Sequence, residues 1–138
     1  MTNVLIEKRD YFIIEDGVIC TGRHLIVDLY NAKNLTDINY IKETLIKCVK
    51  VAGATLLNID LHHFSENNGI SGVAVLSESH ISIHTWPEYN YAALDIFMCG
   101  DTKPELCIDV LKEEFETINV ITQKILRGQN IKDIRGLK

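Results

Sequence analysis

The apolar residues of this chain change their spacing twice, and that change limits the folds open to it. Between His24 and Tyr30, Leu25, Val27 and Leu29 fall at every second position, the period of a strand with one buried face. From Asn34 to Gly53 the spacing becomes three or four, through Ile38, Ile41, Leu45, Cys48 and Ala52, which is one stripe of a helix. Asn34 or Thr36 can cap its start and Gly53 can close its end. From Thr55 to His62 alternation returns, with Leu57, Ile59 and Leu61 expected inward.

The other segments continue the pattern. Asp10 to Cys20 reads as a hairpin, Tyr11 to Ile14 and Val18 to Cys20 around the turn Glu15-Asp16-Gly17. Phe64 to Gly72 is a polar, glycine-containing loop, followed by a strand pair, Val73 to about His84 and about Tyr91 to Met98, with Pro87 to Asn90 turning between them. Thr102 and Glu105 form a capping-box pattern around Pro104, ahead of a second helix whose apolar side is Cys107, Val110 and Leu111, flanked by Ile108 and Phe115. Ile118 to Leu126 is a last strand, and the polar tail from Gln129 to Lys138 is expected to be loosely held. This order predicts an α+β fold, a two-layer α/β sandwich with a largely antiparallel sheet and both helices on one face. Because the strands between Val73 and Met98 carry apolar residues at both parities, the other sheet face needs a cover, and a sheet-to-sheet dimer supplies one.

At 138 residues and 46% hydrophobic composition the chain is expected to form a single domain, residues 1–138. Cys20, Cys48, Cys99 and Cys107 make no CxxC pair and no zinc-finger spacing, so they read as reduced thiols of a cytoplasmic protein, with no metal site. The start lacks the apolar core of a signal peptide, and charges interrupt every apolar run, so neither secretion nor membrane spanning is expected. A net charge of -5 and the lack of a basic run argue against nucleic acid as a partner.

The segment Ser77 to Trp86 places hydroxyls, imidazoles and a carboxylate where a strand needs none of them, and Cys99-Gly100 follows at a distance. A serine-hydrolase triad is one reading, but no Gly-x-Ser-x-Gly elbow is present. His80 and His84, four apart, would suit a metal on a helix, whereas this alternation is that of a strand. Satisfied polar residues on a sheet rim are a third reading. A fourth begins at the Glu78–Ser79 peptide bond: a serine hydroxyl can attack the preceding carbonyl if the backbone is strained and a base takes its proton. The resulting ester can undergo β-elimination, cutting the chain and leaving a dehydroalanine that hydrolyses to a pyruvoyl group, a ketone able to form a Schiff base and accept electrons.

Gly72 through Tyr89, with Tyr91-Ala92-Ala93 and Cys99-Gly100, closely resembles the bacterial and archaeal S-adenosylmethionine decarboxylase proenzymes, and the resemblance extends from about Arg23 to Gly128. It implies cleavage between Glu78 and Ser79 into a β chain, 1–78, and an α chain, 79–138, with Ser79 becoming the pyruvoyl group and no separate cofactor. By the same resemblance His84 promotes the elimination step, Ser71 assists maturation, and Cys99 returns a proton to the substrate α-carbon. A thiol suits that donor role, since its ordinary pKa of about 8.5 keeps it protonated at neutral pH. Phe64 and Trp86 resemble the pair that stacks the adenine, and Glu88 resembles the carboxylate that holds the ribose hydroxyls. As residues alone, Phe64 also suits ordinary core and Glu88 a solvated turn.

Two departures stand out: the loop from Ser65 to Ile70 is one residue longer than expected for the family, and Asn90 stands where a glycine is common. The resemblance implies S-adenosylmethionine as substrate, a decarboxylated aminopropyl donor for spermidine synthesis as product, and a homodimer of cleaved protomers with sites near the interface. The alternatives are a pyruvoyl-dependent arginine or ornithine decarboxylase of the same fold and an uncleaved, non-enzymatic subunit. Strand parity adds a constraint, because Ser79 and His84 would point to opposite faces of an unbroken strand. They can cooperate only if the chain bends, which predicts a turn or bulge near Glu78 to His80, and a regular strand through both counts against the role given to His84.

Overall fold

Leu25, Val27 and Leu29 are all buried, and the strand that carries them, β3 (Gly22–Tyr30), lies between β7 (Tyr91–Cys99) and β8 (Asn119–Arg127). The computed structural model describes residues 12–131; the predicted strand start at Tyr11 and the last part of the polar tail lie outside the described residues. The other strands of the sheet are β4 (Leu56–His63), β5 (Ile70–Leu76) and β6 (Ser79–Trp86), giving the order β4-β5-β6-β7-β3-β8 with every pair antiparallel. The predicted N-terminal hairpin forms its own two-stranded ribbon, β1 (Ile13–Glu15) and β2 (Val18–Cys20), turning at Asp16-Gly17. The start of the tail is tied down, since Asn130 N–H donates to the Ile19 carbonyl at 2.9 Å.

Two helices, α1 (Ile38–Ala52) and α2 (Leu106–Glu114), cover one face of the sheet. Ile41, Leu45 and Cys48 of α1 and Cys107 and Leu111 of α2 are buried in one core with Ile81 and Ile83 of β6 and Leu94, Ile96 and Met98 of β7. Each fully buried leucine or isoleucine contributes about 1.5–3 kcal/mol relative to exposure. The two-layer α+β sandwich thus follows the spacing of the apolar residues.

Four local details differ from the sequence expectation. The N-cap of α1 is Asp37, whose carboxylate accepts from the N–H groups of Asn39 at 3.0 Å and Tyr40 at 3.1 Å; Asn34 instead donates to the Glu114 carbonyl at 2.9 Å. Gly53 closes the helix as predicted, in the left-handed conformation at φ 79°. The Thr102 capping box does not form, because the Thr102 hydroxyl donates to the Cys99 carbonyl at 2.7 Å and α2 begins later, at Leu106. In β4 a register shift between Leu56 and Asn58 turns Leu57 outward, 63% exposed, and packs Leu56 against the core in its place.

The fourth difference concerns the motif. The run read as one strand from Val73 is two strands, β5 and β6, joined at Ser77-Glu78, with Leu76 paired to Ser79. β5 also begins earlier than predicted, at Ile70, so Ser71 is a strand residue and not a loop residue. Glu78 occupies the left-handed region at φ 60°. Among the described residues eight non-glycine residues have positive φ; six are Asn or Asp, and Glu78 and Glu116 are the others. Asn and Asp tolerate that region through local hydrogen bonds, which leaves Glu78 as a strained residue on the acyl side of the predicted scissile bond.

Candidate functional site

β6 is paired without interruption from Ser79, opposite Leu76, to Trp86, opposite Tyr91, so the predicted bend lies just before Ser79 and not between Ser79 and His84. Along β6, Ile81, Ile83 and Thr85 are buried on the helix side, while His80, Ser82, His84 and Trp86 stand on the open side. Five strand positions separate Ser79 from His84, about 17 Å at the rise of a strand. Within one chain the candidate residues therefore form two groups, and His84 does not reach Ser79.

The first group lies where the start of β6 meets the end of β7. Ser79 Oγ accepts a hydrogen bond from the Cys99 backbone N–H at 3.1 Å, which fixes the hydroxyl beside the cysteine. Burial pushes the Cys99 thiol up; the Ser79 hydrogen bond opposes this and the Glu78 charge adds to it, and the net shift is upward. A half-buried thiol held in this way remains a proton carrier at neutral pH rather than a thiolate nucleophile. Glu78, Ser79 and Cys99 are thus brought together at the start of β6.

The second group lies at the far end of β6. Ser71 and His84 are register partners on β5 and β6, and Ser71 Oγ is 2.9 Å from His84 Nδ1. They line a cavity of about 270 Å³ together with Phe64, Glu66, Asn67, Gly69, Thr85 and Trp86. Phe64 is 41% exposed, which removes its reading as ordinary core, and Trp86 beside the same cavity is 37% exposed. Glu88 stands on the short 3-10 turn Pro87–Tyr89 that joins β6 to β7, with both carboxylate oxygens within reach of Asn67 Nδ2, at 3.3 and 3.2 Å. Asn90 closes that turn at φ 53°, the left-handed conformation expected there.

Sequence reasoning missed the groups that support these residues. Tyr91 stacks on Trp86 with ring centroids 5.3 Å apart and on Tyr30 at the same separation, and its hydroxyl donates to Asp28 at 2.5 Å. That hydrogen bond, with burial, pushes the Tyr91 phenol up to about 12. In the middle of the open face, His24 Nε2 and His80 Nε2 approach one oxygen of Asp95, at 2.6 and 2.9 Å, and Ser82 donates to the other. Burial raises the Asp95 pKa, but the hydrogen bonds from Ser82, His24 and His80 outweigh it and hold the carboxylate below its ordinary value. Two imidazoles and a carboxylate also make a metal-ligand set. Here Arg127 donates to His24 Nδ1 at 2.9 Å, which commits that ring to carry its proton on Nε2, facing Asp95, where a metal would require the lone pair. The signal for this group was in the sequence as His24 and Asp95, polar residues at open-face positions of otherwise apolar strands.

No helix among the described residues is long and apolar enough to cross a membrane. Comparison with known proteins gives a consistent set of relatives. A family model described as S-adenosylmethionine decarboxylase matches residues 23–128, so β1 and β2 fall outside it. The chain is 43% identical over 108 residues to the S-adenosylmethionine decarboxylase proenzyme of Thermomicrobium roseum, a match covering 78% of this chain and 93% of that protein. It is 45% identical over 107 residues to the proenzyme of the same name from Methanococcus maripaludis, covering 72% of this chain and 87% of that one. Among solved structures it is similar to the adenosylmethionine decarboxylase of Aquifex aeolicus, with a TM-score of 0.71 and 33% identity over 78% of this chain and 90% of that chain.

Proposed function

Because the chain belongs to the S-adenosylmethionine decarboxylase family, we propose that it cuts itself between Glu78 and Ser79 and then decarboxylates S-adenosylmethionine at the new α-chain terminus. The observation that carries this reading is the juxtaposition at the start of β6: a strained Glu78, the Ser79 hydroxyl, and the protonated Cys99 thiol whose backbone N–H donates to that hydroxyl. Ser79 Oγ attacks the Glu78 carbonyl, its proton passes to a base, and the amide becomes an ester. Loss of the Ser79 α-proton then breaks the Cβ–O bond, releasing the Glu78 carboxylate. Water converts the remaining dehydroalanine to a pyruvoyl group with loss of ammonia. That group supplies an electron sink for the bond that releases carbon dioxide. Cys99, beside it, protonates the substrate α-carbon, so that the product leaves as an amine.

The 17 Å interval along β6 bears on how His84 and Ser71 take part. The open sheet face carries exposed apolar side chains, Val75, Ile121 and Ile125 among them, with Val73 and Phe97 half-buried beside them. A second copy packed on this face in antiparallel fashion brings its own His84 and Ser71 toward the first copy's Ser79. The homodimer therefore completes each site, with His84 acting in trans as the base of the elimination step. The cavity beside Phe64 and Trp86 supports a nucleoside substrate over arginine or ornithine, since two exposed aromatics suit a purine. The product would then serve as an aminopropyl donor for spermidine synthesis, in the cytoplasm.

Intact-mass measurement of purified protein tests the first step. Two chains, 1–78 and a pyruvoyl-initiated 79–138, are expected for the wild type and one uncut chain for Ser79→Ala; cleavage of that variant would overturn the assignment. Released carbon dioxide from carboxyl-labelled S-adenosylmethionine tests the second, and faster turnover of arginine or ornithine would replace the substrate. Coexpression of Ser79→Ala with His84→Ala tests the dimer: the His84→Ala chain is cleaved only if its partner supplies the histidine.

A further inference from the structure

The loop between β4 and β5, one residue longer than the family resemblance predicts, brings an amide to a carboxylate that the sequence reading left without a partner. The Phe64 N–H donates to the Gly69 carbonyl at 2.8 Å and closes the loop. Inside it Asn68 takes a left-handed conformation, φ 62°, and Asn67 Oδ1 accepts from the Gly69 N–H at 2.8 Å. With its oxygen fixed in this way, the amide aims Nδ2 at Glu88, 21 residues away, at 3.3 and 3.2 Å from the two carboxylate oxygens. Gly69 makes room for this, because a Cβ there would lie 2.7 Å from the Thr85 carbonyl oxygen and 2.9 Å from Asn67 Oδ1. Asn67 and Gly69 both line the cavity beside Phe64 and Trp86. Among the described residues no cation pairs with Glu88.

We propose that Asn67 is a positioning residue for Glu88, orienting its carboxylate to receive the two ribose hydroxyls of a nucleoside substrate while leaving its negative charge intact; this rests on the role given above to the nucleoside cavity. A carboxylate has about four acceptor sites, and one amide nitrogen shared between its oxygens leaves a pair of them free for a vicinal diol. The neutrality of the amide matters as much as its direction. A lysine or arginine in the same place would orient Glu88 as well but would neutralise it, and would repel a substrate that carries a sulfonium cation. The residue thus selects for a cationic nucleoside through a group that carries no charge.

Asn67→Ala frees the Glu88 side chain, which must then be ordered by the substrate itself. On the self-processed enzyme this raises KM for S-adenosylmethionine by about 3- to 10-fold, the cost of immobilising one flexible side chain, with kcat and the extent of self-cleavage unchanged. Asn67→Asp keeps the oxygen that accepts from Gly69, so the loop remains closed, but faces one carboxylate with another; it raises KM further than Asn67→Ala. Competitive inhibition by 5′-methylthioadenosine and by its 2′,3′-dideoxy counterpart separates positioning from general loop damage. Asn67→Ala weakens the first inhibitor by the same factor as KM and leaves the second unchanged, whereas equal weakening of both would overturn the proposal. Glu88→Gln distinguishes this inference from its premise. If that variant still discriminates between the two inhibitors as the wild type does, Glu88 does not hold the ribose and the premise fails; if it loses the discrimination while Asn67→Ala and Asn67→Asp keep it, the positioning role alone fails.

Discussion

Replacing Glu78 by glycine tests whether backbone strain drives the proposed cut at Glu78–Ser79. Glu78 sits at φ 60°, where a residue with a Cβ is less stable than glycine by about 1–2 kcal/mol. Cleavage of the next peptide bond turns Glu78 into a chain end and releases whatever strain the turn imposes. If the release is complete in the transition state, removing the strain beforehand slows the cut by about 5- to 30-fold, at 1.36 kcal/mol per tenfold. The side chain must be separated from the backbone, so the reference is Glu78→Ala, which lacks the carboxylate but keeps the Cβ. The assay is the rate at which full-length chain disappears, followed by gel or intact mass from the start of synthesis in a cell-free system. Glu78→Gly is expected to cleave more slowly than Glu78→Ala by that factor. A second reading uses the uncleavable Ser79→Ala background, where the strain stays in the folded state. There the gain from glycine is offset by its greater unfolded-state entropy, about 0.5–1 kcal/mol, so Glu78→Gly should be between equal to and about 1.5 kcal/mol more stable than Glu78→Ala. Equal or faster cleavage of the glycine variant would refute the argument, whatever its stability.

Three further outcomes follow from the same geometry. Cys99→Ala should leave self-cleavage intact and abolish productive turnover; because burial raises the wild-type thiol, its activity should be retained through neutral pH and lost only as pH rises through a value above the ordinary thiol range, read as the alkaline limb of kcat against pH. Asp95 has a folded-state pKa below its unfolded value, so its stabilisation is present above about pH 4 and is lost as pH falls through the folded value; Asp95→Asn should lower Tm at neutral pH and flatten its dependence on pH below about 4. Asp37→Ala, removing the carboxylate that caps α1, should cost about 1 kcal/mol in denaturant unfolding with no effect on cleavage.

The sandwich was legible because two periods, two and three-to-four, sort residues onto faces without any knowledge of tertiary contacts. What escaped the sequence depended on single side chains choosing among local partners. Asn34, Thr36 and Asp37 are all competent caps, and the spacing of the apolar stripe does not choose between them; Asp37 wins because it lies immediately before the first helical residue, while Asn34 is drawn off to the Glu114 carbonyl. Leu57 reads as inward until a register shift exchanges it with Leu56. The β5–β6 hairpin was hidden because its turn holds serine and glutamate and lacks the glycine or asparagine by which such turns are usually recognised.

The site was legible in a different sense: the motif identified its members but not their distances. Strand parity alone sets Ser79 and His84 on opposite faces, and the sequence predicts a turn or bulge near Glu78 to His80 to bring them together. The structure keeps the strand whole from Ser79 to Trp86 and puts the irregularity one residue earlier, at Glu78. A turn there strains the bond at which we propose the cut, which a bulge at His80 would not do, but it leaves the histidine about 17 Å away along β6. In the dimer proposed above, the two demands, a strained bond and a nearby base, are met together by a base from another chain. On that proposal the sheet face that exposes Val75, Ile121 and Ile125 is both a packing problem and the answer to a catalytic one, since a second copy placed there would bury them and supply the histidine in the same step. A monomeric variant made by placing charges at Ile121 and Ile125 should therefore fold and remain uncut, since the residues changed lie on β8, which β7 and β3 separate from β6. Sedimentation establishes the monomer and intact mass its cleavage; a monomer that cleaves at the wild-type rate would return His84 to its own chain or remove it from the mechanism.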